Sequence, residues 1–160
     1  KRLNQGEAYV RGNTSKAVEY YLVDQNGTWS NTASFEYMTT IMAQYNEANS
    51  NMVELVIANN DDMAYGAVMA LQNGGYNLGD GESTTIPVFG VDATDTAKEL
   101  IAAGQMTGTI AQDAEGMADA IATIASNMLS GAEMFENLNE AYVLEGDWKV
   151  AIPYSVYTGE

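Results

Sequence analysis

Four side chains in this sequence could together hold a neutral, hydroxyl-rich molecule: Trp29, Asn60, Asp92 and Gln112. Each follows an apolar run, directly or after a short turn. A carboxylate accepts hydrogen bonds from adjacent hydroxyls, and an amide both donates and accepts, as hydroxyls do. An indole face packs on the apolar C–H face of a pyranose ring. Each residue also has a plainer role, since Asn and Asp cap helices well and Trp is more often a packing residue than a platform. Taken singly, the plainer roles win. Gathered at the ends of successive strands on one edge of a sheet, the four point to a binding site. Asn59, Asp61 and Asp62 invite a magnesium-enzyme reading. Consecutive residues point in different directions, however, and no second carboxylate cluster or phosphate cradle accompanies them, so capping is the better account.

The elements that must position these groups centre on residues 53–92. The apolar run Val53–Ala58 breaks at Asn59-Asn60-Asp61-Asp62, and helical spacing then puts Met63, Ala67, Ala70 and Leu71 on one face. Gly74-Gly75 stops that helix, and a second apolar run, Ile86–Val91, ends on Asp92. Short β-branched runs flanking a helix predict a βαβ unit with a parallel pair. In such units ligands bind outside the carboxyl ends of the strands, where Asn60 and Asp92 fall.

Elsewhere, Val18–Val23 reads as a strand and residues 1–13 as the remnant of a helix. Ser30 or Asn31 caps a helix to about Ala48, with Ala33, Tyr37, Ile41 and Tyr45 on one face. Beyond Asp92 come a helix opened by Thr94 or Asp95 and closed by Gly104, a strand over Met106–Ala111, and a helix from Asp113 to Ser130. Trp148–Ile152 reads as a further strand, and the tail from Tyr154 is undecided. Alternation of this kind predicts an α/β fold with a doubly wound parallel sheet. The helix 113–130 carries an apolar stripe of Ala114, Met117, Ala118, Ile121, Ala125 and Met128, which predicts a partner for that face.

Composition narrows the function. The 160 residues include 22 acidic and 6 basic side chains, for a formal net charge of −16. Such a surface repels phosphate backbones and anionic lipids, which argues against nucleic acid and membrane-surface partners. Without Cys or His, thiol chemistry, Ser-His triads and His-based zinc sites are excluded within this chain. Cys-free composition is compatible with an oxidising exterior. No run is long enough to cross a bilayer as a helix, no signal peptide is present, and a removed leader would leave no trace. Lys1-Arg2-Leu3 reads as the middle of a longer protein.

The segments VELVIANNDDMAYGAV, IPVFGVDAT and TGTIAQDAEG, in that order, resemble the type I periplasmic sugar-binding proteins, above all the galactose/glucose-binding branch. The resemblance is strongest from Val53 to about Leu129. It implies a two-lobe fold closing on a sugar, of which this chain is a part: residues 1–111 as the C-terminal lobe, 112–147 as a crossover helix and strand belonging to the other lobe, and 148–160 as a return strand and tail. Asn60, Asp92 and Trp29 then fall on the family's amide ligand, ring-hydroxyl aspartate and stacking indole. Gln112 stands where the galactose branch has Asn and the ribose branch Gln. The family's early His is absent, and Arg2 is the arginine available for its partner position. Glu54 matches a bidentate calcium ligand whose companions come from an earlier acidic loop, so calcium would be a feature of the full-length protein, with no other cofactor required. The resemblance implies a non-catalytic, solute-binding component of a bacterial sugar ABC transporter. Its partners would be a galactose- or glucose-like monosaccharide, a permease and the missing N-terminal lobe. It would sit in the periplasm or at the outer face of the membrane, there with a lipid anchor. The alternative is the effector-binding domain of a LacI-type repressor, which shares the fold but needs a DNA-binding headpiece.

Overall fold

The computed structural model describes residues 29–159. The expected N-terminal helix, the strand Val18–Val23 and Arg2 lie outside the described residues. The chain enters through α1 (Asn31–Gln44) and a 3-10 turn (Glu47–Asn49), then alternates β1 (Val56–Ile57), α2 (Asp61–Asn73), β2 (Val88–Val91), α3 (Asp95–Ala102), β3 (Gly108–Ala111) and α4 (Ala114–Ser130). It finishes with β4 (Val143–Glu145), β5 (Lys149–Ala151) and β6 (Ser155–Tyr157).

The main sheet has the order β1-β2-β3-β6. β1, β2 and β3 run parallel, as the sequence predicts, and β6 closes the edge antiparallel to β3. β1 is short because only two residues complete the ladder, but Val56 N–H to Pro87 O (2.9 Å) and Ala58 N–H to Phe89 O (2.8 Å) extend its pairing. The undecided tail supplies β6. The expected strand at Trp148–Ile152 forms at Lys149–Ala151 but pairs with β4 in a separate two-stranded hairpin.

β1-α2-β2 and β2-α3-β3 step in the same direction across the sheet, so right-handed crossovers put both helices on one face. There Ala64, Val68 and Leu71 of α2 meet Val88, Ala97, Ile101 and Met106 in the core. Leu71 and Val68 are fully buried, and burial of each such side chain contributes about 1.5–3 kcal/mol. On the opposite face Leu55, Ile57, Phe89 and Val156 are exposed. A second helical layer, as double winding requires, is not among the described residues.

α1 lies beside α2 with a face other than the expected one. Met38 is its buried residue, with Phe35 and Met42 packed on the core, whereas Ala33, Tyr37, Ile41 and Tyr45 are half-exposed. The rotation is set by polar ties as well as by the apolar pattern. Asp62 Oδ2 accepts from Asn31 N–H at 2.7 Å, and Ser34 Oγ donates to Met63 O at 2.6 Å. Gly66 permits this approach, since a methyl there would overlap the Asn31 carbonyl.

The loop from α2 to β2 is organised by Asn77, a buried residue in left-handed conformation (φ 51°). Its side chain accepts from Ile86 N–H and donates to Ile86 O and Gln105 O. These bonds replace the pairing that the backbone lacks there.

α4 is capped by Asp113, whose Oδ1 accepts from Gly116 N–H at 2.8 Å, and ends on Gly131 at φ 73°. The expected stripe is exposed, Ile121 at 69% and Met128 at 63%. Met117, Ile121 and Ile124 line an open groove of about 350 Å³ with Phe135, Trp148 and Val150. Beside the helix start, Tyr142 is pushed above its ordinary pKa by loss of hydration and by the Asp113 and Asp119 carboxylates.

Candidate ligand-binding site

Parallel strands bring their carboxyl ends to one edge, where three of the four predicted side chains stand and the Trp29 backbone joins them. Asn60 follows β1, Asp92 follows β2 directly, and Gln112 follows β3 directly. Trp29 joins them from the start of α1, with its backbone O accepting from Asn60 Nδ2 at 3.3 Å. Gln112 Nε2 donates to Asp92 Oδ1 at 2.5 Å. Asp92 and Gln112 are exposed, Asn60 is half-buried, and Trp29 is 45% exposed.

Helix capping explains one of these residues and not the others. Asn60 is the N-cap of α2, its Oδ1 accepting from Met63 N–H at 2.9 Å. α3 is capped by Thr94 and α4 by Asp113, so neither Asp92 nor Gln112 serves as a cap. Asp92 Oδ2 and Gln112 Oε1 have no partner among the described residues. They offer two acceptors beside a carboxamide donor, the set that a diol requires. Asn60 keeps a second amide hydrogen and a second lone pair.

Asp61 is the residue whose role the sequence reading missed. It is not a cap but a buried carboxylate, 2% exposed. Its Oδ2 accepts from Thr94 N–H at 2.7 Å and its Oδ1 from the Thr109 hydroxyl at 2.6 Å. Thr109 Oγ1 in turn accepts from Ala93 N–H at 3.4 Å. Space for the carboxylate comes from Gly90 in β2, where a methyl would overlap Asp61 Oδ1. The available signal was that pairing: an acid in the first turn of a helix, and a glycine in the next strand two residues before Asp92. Asp62 is likewise engaged, accepting from both Asn31 N–H and Asn31 Nδ2. A cleft of about 270 Å³ between the starts of α1, α2 and α3 is lined by Asn31, Asp61, Asp62, Tyr65, Thr94 and Thr96. None of the four candidate residues lines it; they stand on an open edge.

Glu54 is exposed ahead of β1, at the end of the sheet away from Asn60. Among the described residues no three acidic side chains form a metal-binding group. One carboxylate falls far short of the six to eight oxygens calcium takes.

A parallel β1-β2-β3 run with amide and carboxylate side chains at its carboxyl edge is where α/β folds bind ligands. The chain belongs to the periplasmic binding protein domain family, whose model matches residues 3–133. It is 33% identical over 112 residues to the D-galactose/methyl-galactoside binding periplasmic protein of Haemophilus influenzae, a match covering 70% of this chain and 30% of that one. It is 34% identical over 93 residues to a putative rhizopine-binding protein of Rhizobium meliloti, covering 58% and 27%. The matches thus span about 30% of the length of these curated relatives. Among solved structures, an ABC transporter solute-binding protein of Bacillus halodurans with bound myo-inositol superposes at TM-score 0.57 and 26% identity, over 82% of this chain and 37% of that one. One from Actinobacillus succinogenes with bound D-allose gives 0.60 at 23% identity, covering 82% and 38%, a likeness of fold.

Proposed function

We propose that this chain is the larger part of one lobe of a bacterial solute-binding protein that captures a monosaccharide or similar polyol for an ABC transporter. Asp92, Gln112 and Asn60 receive the hydroxyls and Trp29 stacks on the ring. A second lobe closes over them by a hinge, and the closed form engages the permease. No step requires covalent chemistry. The crossover segment with α4 belongs to the other lobe, so the exposed stripe of α4 and the groove beside it pack into the remainder of that lobe, and the protein works in the periplasm. Calcium at Glu54 would need oxygens from outside the described residues.

The observation that carries this reading is the Asp92–Gln112 pair: two polar side chains at neighbouring strand ends, hydrogen-bonded to each other and used by neither following helix. The Haemophilus influenzae relative is a binding periplasmic protein and the Bacillus halodurans structure an ABC transporter solute-binding protein, which favours transport over the repressor alternative. D-galactose, D-glucose, D-allose, D-ribose and myo-inositol form the test panel in a thermal-shift screen of the full-length protein. A true ligand at a hundred times its Kd adds about 2.7 kcal/mol of stability, a rise of several degrees. Asp92→Ala abolishes the rise. If no member of the panel moves the midpoint, the sugar reading fails.

A further inference from the structure

Asp92 occupies a backbone conformation that a free chain avoids. It has φ 118°, and Ala93 follows at φ 53°. Two consecutive non-glycine residues in the positive-φ region are disfavoured, and persist only where surrounding structure holds them. The holding groups are identifiable. Asp92 N–H donates to Ile110 O at 2.8 Å. Ala93 N–H reaches the Thr109 hydroxyl, and Thr94 N–H reaches Asp61 Oδ2. Asp61 is thus the hub, since its other oxygen orients the same Thr109 hydroxyl. A carboxylate can accept both bonds at once, and its burial makes each stronger than it would be in water. The space is prepared by Gly90, and no side chain larger than hydrogen fits there unless the carboxylate moves.

We infer that Asp61 is a positioning residue for ligand binding: acting through Thr109, it clamps the Asp92–Ala93–Thr94 turn in its positive-φ form and so presents the Asp92 carboxylate to the ligand. The inference rests on the sugar-binding reading of Asp92. Asp61 makes no contact with the ligand itself. Its effect is on pre-organisation, since a turn that must be re-formed on binding subtracts that ordering cost from affinity.

The test uses the full-length protein and titration calorimetry with the same five-member panel, at a temperature well below every variant's unfolding midpoint. Asp61→Asn exchanges one acceptor for a donor, so it cannot accept from both Thr94 N–H and the Thr109 hydroxyl. Thr109→Val removes the hydroxyl while keeping the shape, and keeps the measurement possible if Asp61→Asn does not fold. Thr109→Ser retains the hydroxyl. Loss of one charge-assisted bond predicts about ten-fold weaker binding for Thr109→Val and more for Asp61→Asn, with affinity restored in Thr109→Ser. Hydrogen exchange at the Ala93 and Thr94 amides, followed by NMR, quickens in the two damaging variants and not in Thr109→Ser. If both lower the midpoint but bind the sugar as the unmodified protein does, Asp61 is merely structural and the inference is overturned while the sugar reading stands. If the unmodified protein binds no member of the panel, or Asp92→Ala binds unchanged, the sugar site is refuted and the positioning role falls with it.

Discussion

The carboxyl edge of the sheet and the outer face of α4 are built on opposite terms. At the edge, three consecutive residues of one helix start satisfy their neighbours: Asn60 the Trp29 carbonyl, Asp61 the turn after Asp92, and Asp62 the first residue of α1. Along α4 the reverse holds. Ile121, Met128 and Leu129 are 69%, 63% and 90% exposed, and the groove beside them is apolar on both walls. Contiguous apolar surface of this kind marks an interaction site. Among the described residues the polar edge is therefore tied internally, and the apolar face is left open.

The largest expected effect separates the two regions by stability. Leu71→Ala, in the buried core of α2, should cost about 2–5 kcal/mol in chemical denaturation of the 160-residue chain. Ile121→Ala in the same chain should stay within about 0.5 kcal/mol. In the full-length protein, the Ile121 substitution should rise to about 1–3 kcal/mol if the other lobe covers the face. Equal small effects in both contexts would break the comparison.

A middle-sized effect tests how α2 holds the Trp29 end of the edge. Alanine is favoured over glycine inside a helix by about 1 kcal/mol. At Gly66, however, the added methyl would overlap the backbone carbonyl of Asn31. Relieving that overlap moves α1 and costs about 1–3 kcal/mol. Gly66→Ala should therefore be net destabilising and should change the fluorescence of Trp29, which precedes α1. A stabilised variant would show that α1 is not seated by this contact.

The smallest effect concerns the same chemistry in water. Asp80 Oδ1 accepts from the Glu82 and Ser83 amides at 3.0 and 2.8 Å, which holds its pKa below the ordinary 3.8. A lowered folded-state pKa means that the stabilisation is fully present above the unfolded value and lost as pH falls through the folded one. Denaturation of wild type and Asp80→Ala should thus differ slightly at neutral pH and converge in acid. A gap that persists in strong acid would assign the effect to something other than the carboxylate.

Much of this arrangement was legible in the sequence. Apolar runs ending in Asn60, Asp92 and Gln112 located the strand ends, because strand burial and helix stops are local signals. The conformation of α1 was less legible, since its rotation is set partly by Asn31 and Ser34 bonding to α2 and not by its own periodicity. β6 escaped because three exposed or half-exposed residues, Ser155–Tyr157, form an edge strand with little pattern to read. Asp61 reads as a cap because its first-turn position fits that role equally well. Its true use depends on Thr109, forty-eight residues away, and on the vacancy at Gly90, and a long-range polar tie leaves no periodic trace.

Asp61 and Asp62 project about 100° apart in the first turn of α2, with Asn60 as its extended N-cap, and this has a consequence for how the gene can change. Substitutions there act one tie at a time. A single-codon insertion or deletion between Ala58 and Met63 would instead rotate the whole set, aiming each side chain at its neighbour's target and dismantling all three ties together. Around Gly81 the loop carries only the local Asp80 ties: Gly81 has open space around it, and residues 79–82 are exposed. Length variation among natural versions of this lobe should collect at that loop, and it is the place to splice in a reporter without re-indexing the carboxyl edge of the sheet.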